Sequence, residues 1–167
     1  VNLGEELIPG NGNQDVVPMP TLGWYWTGNR LYLTYAAENT TDNDTDIYVR
    51  FSTDSAGSWS SAKKVNDDAT TTSQFFPWLG VDQANGKVAV SWYDCRKDTA
   101  NNKKTHFFAA VSTDGFNGSP YAAPRNFQLN PAQSDASSYG PGYKDYTGLT
   151  FFKGFLYPAW VDNSNST

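Results

Sequence analysis

Hydrophobic positions along this chain come in short bursts, not in long helical stripes. Leu31-Tyr32-Leu33-Thr34-Tyr35, Ile47 to Ser52, Phe76 to Val81 and Lys87-Val88-Ala89-Val90-Ser91-Trp92 are dense in β-branched and aromatic side chains, the residues that suit a pleated surface. Residues that turn a chain punctuate the sequence between such runs: Thr27-Gly28-Asn29, Asp54 to Ser58, Gln83-Ala84-Asn85-Gly86 and Lys153-Gly154. No stretch keeps apolar residues at the spacing of an amphipathic helix. The pattern predicts an all-β chain. In the central pair, Phe76 to Val81 and Lys87 to Trp92, only Lys87 and Ser91 are polar. Such runs predict strands covered on both faces.

The bursts repeat. Thr21-Leu22-Gly23 matches Trp78-Leu79-Gly80 at an offset of 57, and Leu31 to Tyr35 matches Val88 to Trp92 at the same offset. Ser52-Thr53-Asp54 matches Ser112-Thr113-Asp114 at an offset of 60. A third copy starts at Thr147-Gly148-Leu149, turns at Lys153-Gly154 and leaves through Phe155 to Trp160. A unit of about four strands recurring at this period is a propeller blade. The expected fold is therefore all-β, with β-propeller blades of four-stranded antiparallel sheets. A leading outer strand falls in 1–15, blades in 16–66 and 75–130, and an incomplete blade in 143–162, making a partial propeller of about three blades. Strands without partners at both ends predict self-association, or the remainder of a longer propeller chain.

Charge and cysteine content narrow the function classes. A net charge of −5 over 167 residues and a pI near 4.6 argue against nucleic acid or an anionic membrane surface as partner. No apolar run approaches the roughly 18 residues that cross a bilayer as a helix, so no membrane insertion is expected. Cys95 is the single cysteine and excludes an internal disulfide. It reads as a partly buried, inert thiol. His106, the single histidine, cannot build a zinc site alone and reads as a strand residue. Asn-x-Ser/Thr triplets at Asn39, Asn43, Asn117 and Asn165 all fall in expected loops.

Ser52-Thr53-Asp54-Ser55-Ala56-Gly57-Ser58-Trp59 resembles the Asp-box, or BNR repeat, of sialidase-like β-propellers, whose pattern is Ser-x-Asp-x-Gly-x-Thr-Trp. Ser52, Asp54 and Trp59 fall in register, Ser58 replaces Thr, and the glycine is displaced to Gly57. Ser112-Thr113-Asp114-Gly115 is a degenerate second box. The segments Ser73 to Asp98 and Lys144 to Leu149 are also similar to bacterial secreted sialidase-like proteins. The resemblance implies a secreted, extracellular protein that binds or hydrolyses glycans, with box residues that hold the fold and lie away from the active face. Its other reading is a non-catalytic structural or adhesive module. In physical terms an Asp in a hairpin can accept backbone N–H bonds, and Trp59 is expected to plug the gap between neighbouring sheets.

An anionic sugar calls for clustered arginines, because a guanidinium matches a carboxylate with two parallel bonds. The family also uses a Tyr paired with a Glu and an Asp acid/base. This chain has Arg30, Arg50, Arg96 and Arg125, and no full catalytic set maps onto it. The best local constellation is Asp94, Arg96 and Asp98, with Trp92 and Tyr93 as stacking surface and Asp145 and Tyr146 from the next blade. It serves either to contact a glycan or to fasten its own loop. Asp42, Asp44 and Asp46 alternate as calcium ligands do, without the Gly and distal Glu of an EF-hand. They read as a solvated acidic loop or as a Ca²⁺ site, the one cofactor considered.

Overall fold

The computed structural model describes residues 6–7, 15–16, 18–39, 44–117, 126–135 and 146–164. Among them every regular element is a strand, and the sheets are antiparallel.

The first four-stranded sheet is a meander of β3 (Thr21–Tyr25), β4 (Arg30–Asn39), β5 (Asp44–Ser52) and β6 (Lys63–Lys64). The second is built from β7 (Gln74–Val81), β8 (Val88–Asp94), β9 (Lys104–Ser112) and β10 (Asn126–Gln128), with β11 (Ser134–Asp135) also pairing with β9. A third unit is the hairpin of β12 (Gly148–Phe152) and β13 (Phe155–Ala159). A short pair, β1 (Glu6–Leu7) and β2 (Asp15–Val16), precedes them. The strand β7 packs against β3, β4 and β5 on one side and β12 on the other. Consecutive meanders stacked face to face through their first strands are propeller blades.

Burial explains the stacking. All seven residues of β8 are buried, as its nearly unbroken apolar run predicts. Trp92 faces the first sheet with Tyr32, Ile47, Val49, Leu79 and Phe108. Tyr93 faces the other way, with Phe75, Phe76, Cys95 and Phe107, and Trp160 packs on that cluster. Leu149 and Phe151 of β12 close over Ala89.

Pro77 lies inside β7, where a proline cannot donate to a ladder. The chain solves this with a bulge. Phe75 pairs with Tyr93 and Trp78 with Ser91, so Phe76 and Pro77 together oppose Trp92. Phe76 takes φ +50, unusual for a bulky side chain, and is held there by its aromatic neighbours Phe75 and Tyr93. In the second sheet's outer edge, Asn130 Oδ1 accepts the Phe107 N–H at 2.7 Å and so bridges the gap between β10 and β11.

The turns are held by side chains. Lys153 and Gly154 both have positive φ, the twist a two-residue hairpin loop requires. Their N–H groups donate to the fully buried Asp82 at 3.1 and 2.7 Å, so the turn before β8 fastens the third hairpin. Three expectations are corrected. Asn39 ends β4, paired with Asp44, and is not a loop residue. Asp44 and Asp46 are buried strand residues of β5, not a solvated loop. Trp59 is only half-buried and lies outside the three apolar clusters. The plug between the first two sheets is Phe116, buried beside Tyr32.

Phe116→Ala should therefore cost about 3–5 kcal/mol, and Trp59→Ala clearly less. Denaturant melts of the two variants decide it; equal losses would return the plug to Trp59.

Candidate functional site

Asp94 ends β8 with no exposed surface. A carboxylate buried that deeply must be matched. Four donors meet its two oxygens: Trp92 Nε1 at 2.7 Å, the Arg96 backbone N–H at 2.9 Å, Arg96 Nε at 2.9 Å and Arg96 Nη2 at 2.8 Å. The guanidinium grips the carboxylate with both edges of one fork. It also donates to Asp67 Oδ1 at 2.8 Å and Asn126 Oδ1 at 2.9 Å, and its Cζ lies over Phe108, 4.4 Å from the ring centroid. Burial opposes the charge on Arg96, but Asp94, Asp67 and Asp68 outweigh it and raise its pKa.

Behind Arg96 lies a buried polar core made by the segment that links the two sheets. Asn66 accepts the Ile47 N–H at 2.9 Å and donates to Asp46, Asp68 and Gln74 at 2.7–2.8 Å. Lys64 pairs with Asp46 at 2.6 Å. Burial would raise the Asp68 carboxyl, but hydrogen bonds from Thr70 and Asn66 and the charges of Arg96 and Lys64 hold it below its usual range. Among the described residues no group of three or more His, Cys, Asp or Glu is placed to hold a metal ion. Asp42 lies outside the described residues, and Asp46 is engaged by Lys64 and Asn66.

This geometry redistributes the expected glycan contacts. Trp92, Tyr93 and Asp94 have essentially no exposed surface and cannot touch a ligand. The Tyr93 hydroxyl accepts the Val161 N–H at 2.8 Å and donates to the Val161 carbonyl at 2.9 Å, tying the second sheet to the chain beyond β13. Four of the five N–H donors of Arg96 are engaged within the fold. Asp98 does not meet Arg96; it accepts the N–H groups of Lys103 and Lys104 and closes its own loop. Those bonds outweigh burial and lower its pKa. Tyr146 stays 75% exposed. Asp145 lies outside the described residues. Cys95 is buried and its thiol is pushed well up by burial and by Asp94 and Asp98, so it is no nucleophile. His106 is buried opposite Asp94 in the ladder, and burial and the charge of Lys97 lower its pKa.

The two Ser-Thr-Asp loops share one geometry. Ser52 Oγ donates to Asp54 Oδ1 at 2.7 Å, and Ser112 Oγ to Asp114 Oδ1 at 2.7 Å. Each serine also accepts the N–H four residues on, from Ala56 at 3.0 Å and Phe116 at 2.8 Å. Ser55 and Ala56 in one loop, and Gly115 and Phe116 in the other, all have positive φ. Asp54 accepts both the backbone and the hydroxyl of Ser58, at 2.9 and 2.6 Å.

No family model and no curated protein sequence matches the chain. Among solved structures it is similar to the native Bacillus subtilis arabinanase Arb43A, at 14% identity and a TM-score of 0.31, with 92% of this chain and 70% of that chain covered.

Residue-by-residue reading missed Asn66, Asp67, Asp68, Gln74 and Asn126, which complete the Arg96 network. The available signal was Asn66-Asp67-Asp68, a polar run directly after Val65 and placed between two sheets.

Arg96→Ala leaves the Asp94 charge buried and should cost about 3–5 kcal/mol of stability; a loss near zero would show that water reaches Asp94. A second expectation concerns acid. Hydrogen bonds from Ser58 and Ser52 lower the Asp54 carboxyl to about 2. A depressed carboxylate contributes stability that is present above its unfolded pKa and lost as pH falls through the folded one. Melting between about pH 4 and pH 2 should therefore be less acid-sensitive in Asp54→Asn than in the parent. Parallel melting curves through that window would refute it.

Proposed function

We propose that this chain is part of a secreted, sialidase-like propeller of the Asp-box kind that contacts glycans or glycoprotein surfaces without hydrolysing them through these blades. The observation that carries this reading is the dispersal of the three arginines among the described residues; Arg125 lies outside them. Arg30 lies over Phe51, with its Cζ 4.6 Å from the ring centroid. Arg50 donates to Tyr35 and to the Ser60 carbonyl, both at 3.0 Å, from the opposite face of the same sheet. Arg96 belongs to Asp94. The three share no partner, so they offer no cluster for a sugar carboxylate. The repeated Ser-Thr-Asp geometry supports the family half of the reading. Surface for stacking on a sugar ring is supplied by Trp26 and Tyr146, exposed at 69% and 75%.

The test is a fluorogenic sialoside assay run beside glycan-array binding. The chain should give no turnover and should retain array signals that Trp26→Ala or Tyr146→Ala weakens. Turnover abolished by Arg96→Ala would make this a hydrolase. An array without signal would leave the structural or adhesive module.

A further inference from the structure

The sheets of this chain fit together by a rule that the two internal interfaces obey. Leu79 and Val81 of β7 straddle Gly23 of β3. A Cβ on Gly23 would run into Leu79 Cδ2 and stand 2.8 Å from Val81 Cγ2. Leu149 and Phe151 of β12 straddle Gly80 of β7 in the same way. A Cβ there would stand 3.2 Å from the Phe151 Cβ and from its backbone nitrogen, and 3.4 Å from Leu149 Cγ. Alternate side chains of a strand face opposite ways. At both interfaces, then, the later strand offers an apolar pair to the sheet before it, and the earlier strand offers a bare glycine to the sheet after it.

The triplets are Leu22-Gly23-Trp24, Leu79-Gly80-Val81 and Leu149-Thr150-Phe151. Leu79 and Leu149, which have glycine seats, are 5% and 7% exposed. Leu22 and Trp24, the first pair, are 62% and 48% exposed. The third triplet has Thr150 where the glycine belongs, on the open face that carries Phe152, Phe155 and Tyr157.

We propose that the open Leu22–Trp24 face is a docking surface for a further sheet of this repeat whose inner strand carries glycine between its own apolar pair, and that a second copy of this chain does not fit it. Continuity with the two internal interfaces defines the partner. An incoming Leu and Trp need backbone without a side chain between them. Thr150 fills that seat with a branched side chain and would strip water from its hydroxyl. The chain's two open faces are therefore both apolar but mismatched at one residue, which blocks head-to-tail growth into filaments.

The experiment is sedimentation of the parent chain, Thr150→Gly, and each combined with Leu22→Asn. The quantity read is assembly that Leu22→Asn removes. The parent should show none and sediment at 18.4 kDa at micromolar concentration. Thr150→Gly should move to twice that mass or more as concentration rises, and Leu22→Asn should return it to the monomer. Leu22-dependent assembly of the parent, or none in Thr150→Gly, would overturn the proposal. Gly23→Ala checks the rule inside one chain: its melting temperature should fall, and an unchanged one would mean that the seat does not constrain the fit.

Discussion

A fully buried carboxylate is the constraint around which the strand ends are arranged. Asp94 has no access to water, so its charge must be met by fixed donors, and Trp92 and Arg96 provide them. That demand fixes where Arg96 lies. The rest of its fork then reaches Asp67 in the segment leaving the first sheet and Asn126 in the outer strand of the second. One ion pair thereby sets the relation of three pieces of chain distant in sequence. A lysine could not do this, because a single ammonium lacks the planar fork that serves two edges at once.

At the middle of the sheets the fit is apolar and depends on absence of side chains. Burying a leucine stabilises by about 1.5–3 kcal/mol, and Leu79 and Leu149 reach that burial only because Gly23 and Gly80 are bare. At the opposite end of β7 and β8 from Asp94, Asp82 takes the N–H groups of Lys153 and Gly154. Polar anchors at both strand ends and an apolar contact between them leave each pair of sheets little freedom to slide.

The strands and their repetition were legible because they rest on period and on turn residues, and both survive in a single sequence. What covers each strand was not. Trp92-Tyr93-Asp94 reads equally as an exposed aromatic rim or as a buried strand end, since alternation shows which side chains share a face and not what lies against it. Local spacing puts Asp98 beside Arg96, yet Asp98 satisfies its own loop while Asp67, far off in sequence, meets the arginine. Asn66 stands out only as the start of a polar run after Val65, and Gln74 carries no signal, because buried amides are chosen for partners that only the stacked sheets bring near. Asp44 and Asp46 escape for a related reason: their acidic composition is that of a loop, and the partners of Asp46, Lys64 and Asn66, come from the strand and segment that follow.

The two Ser-Thr-Asp loops show how a local motif and its packing separate. Their serine, aspartate and left-handed residues match, so the turn itself is set by four or five residues and their hydrogen bonds. The side chain that fills the gap between sheets is not set by the turn. In the second loop Phe116 occupies a left-handed position, uncommon for an aromatic, and is buried beside Tyr32. The equivalent place in the first loop holds Ala56, which is exposed. The difference follows from what each loop faces. The second projects against Tyr32 of the neighbouring sheet, and the bare Gly115 lets the Tyr32 hydroxyl approach its backbone. The strain at Phe116 is thus offset by burial that only a neighbouring sheet can provide, whereas the first loop has no such burial with which to offset a large side chain.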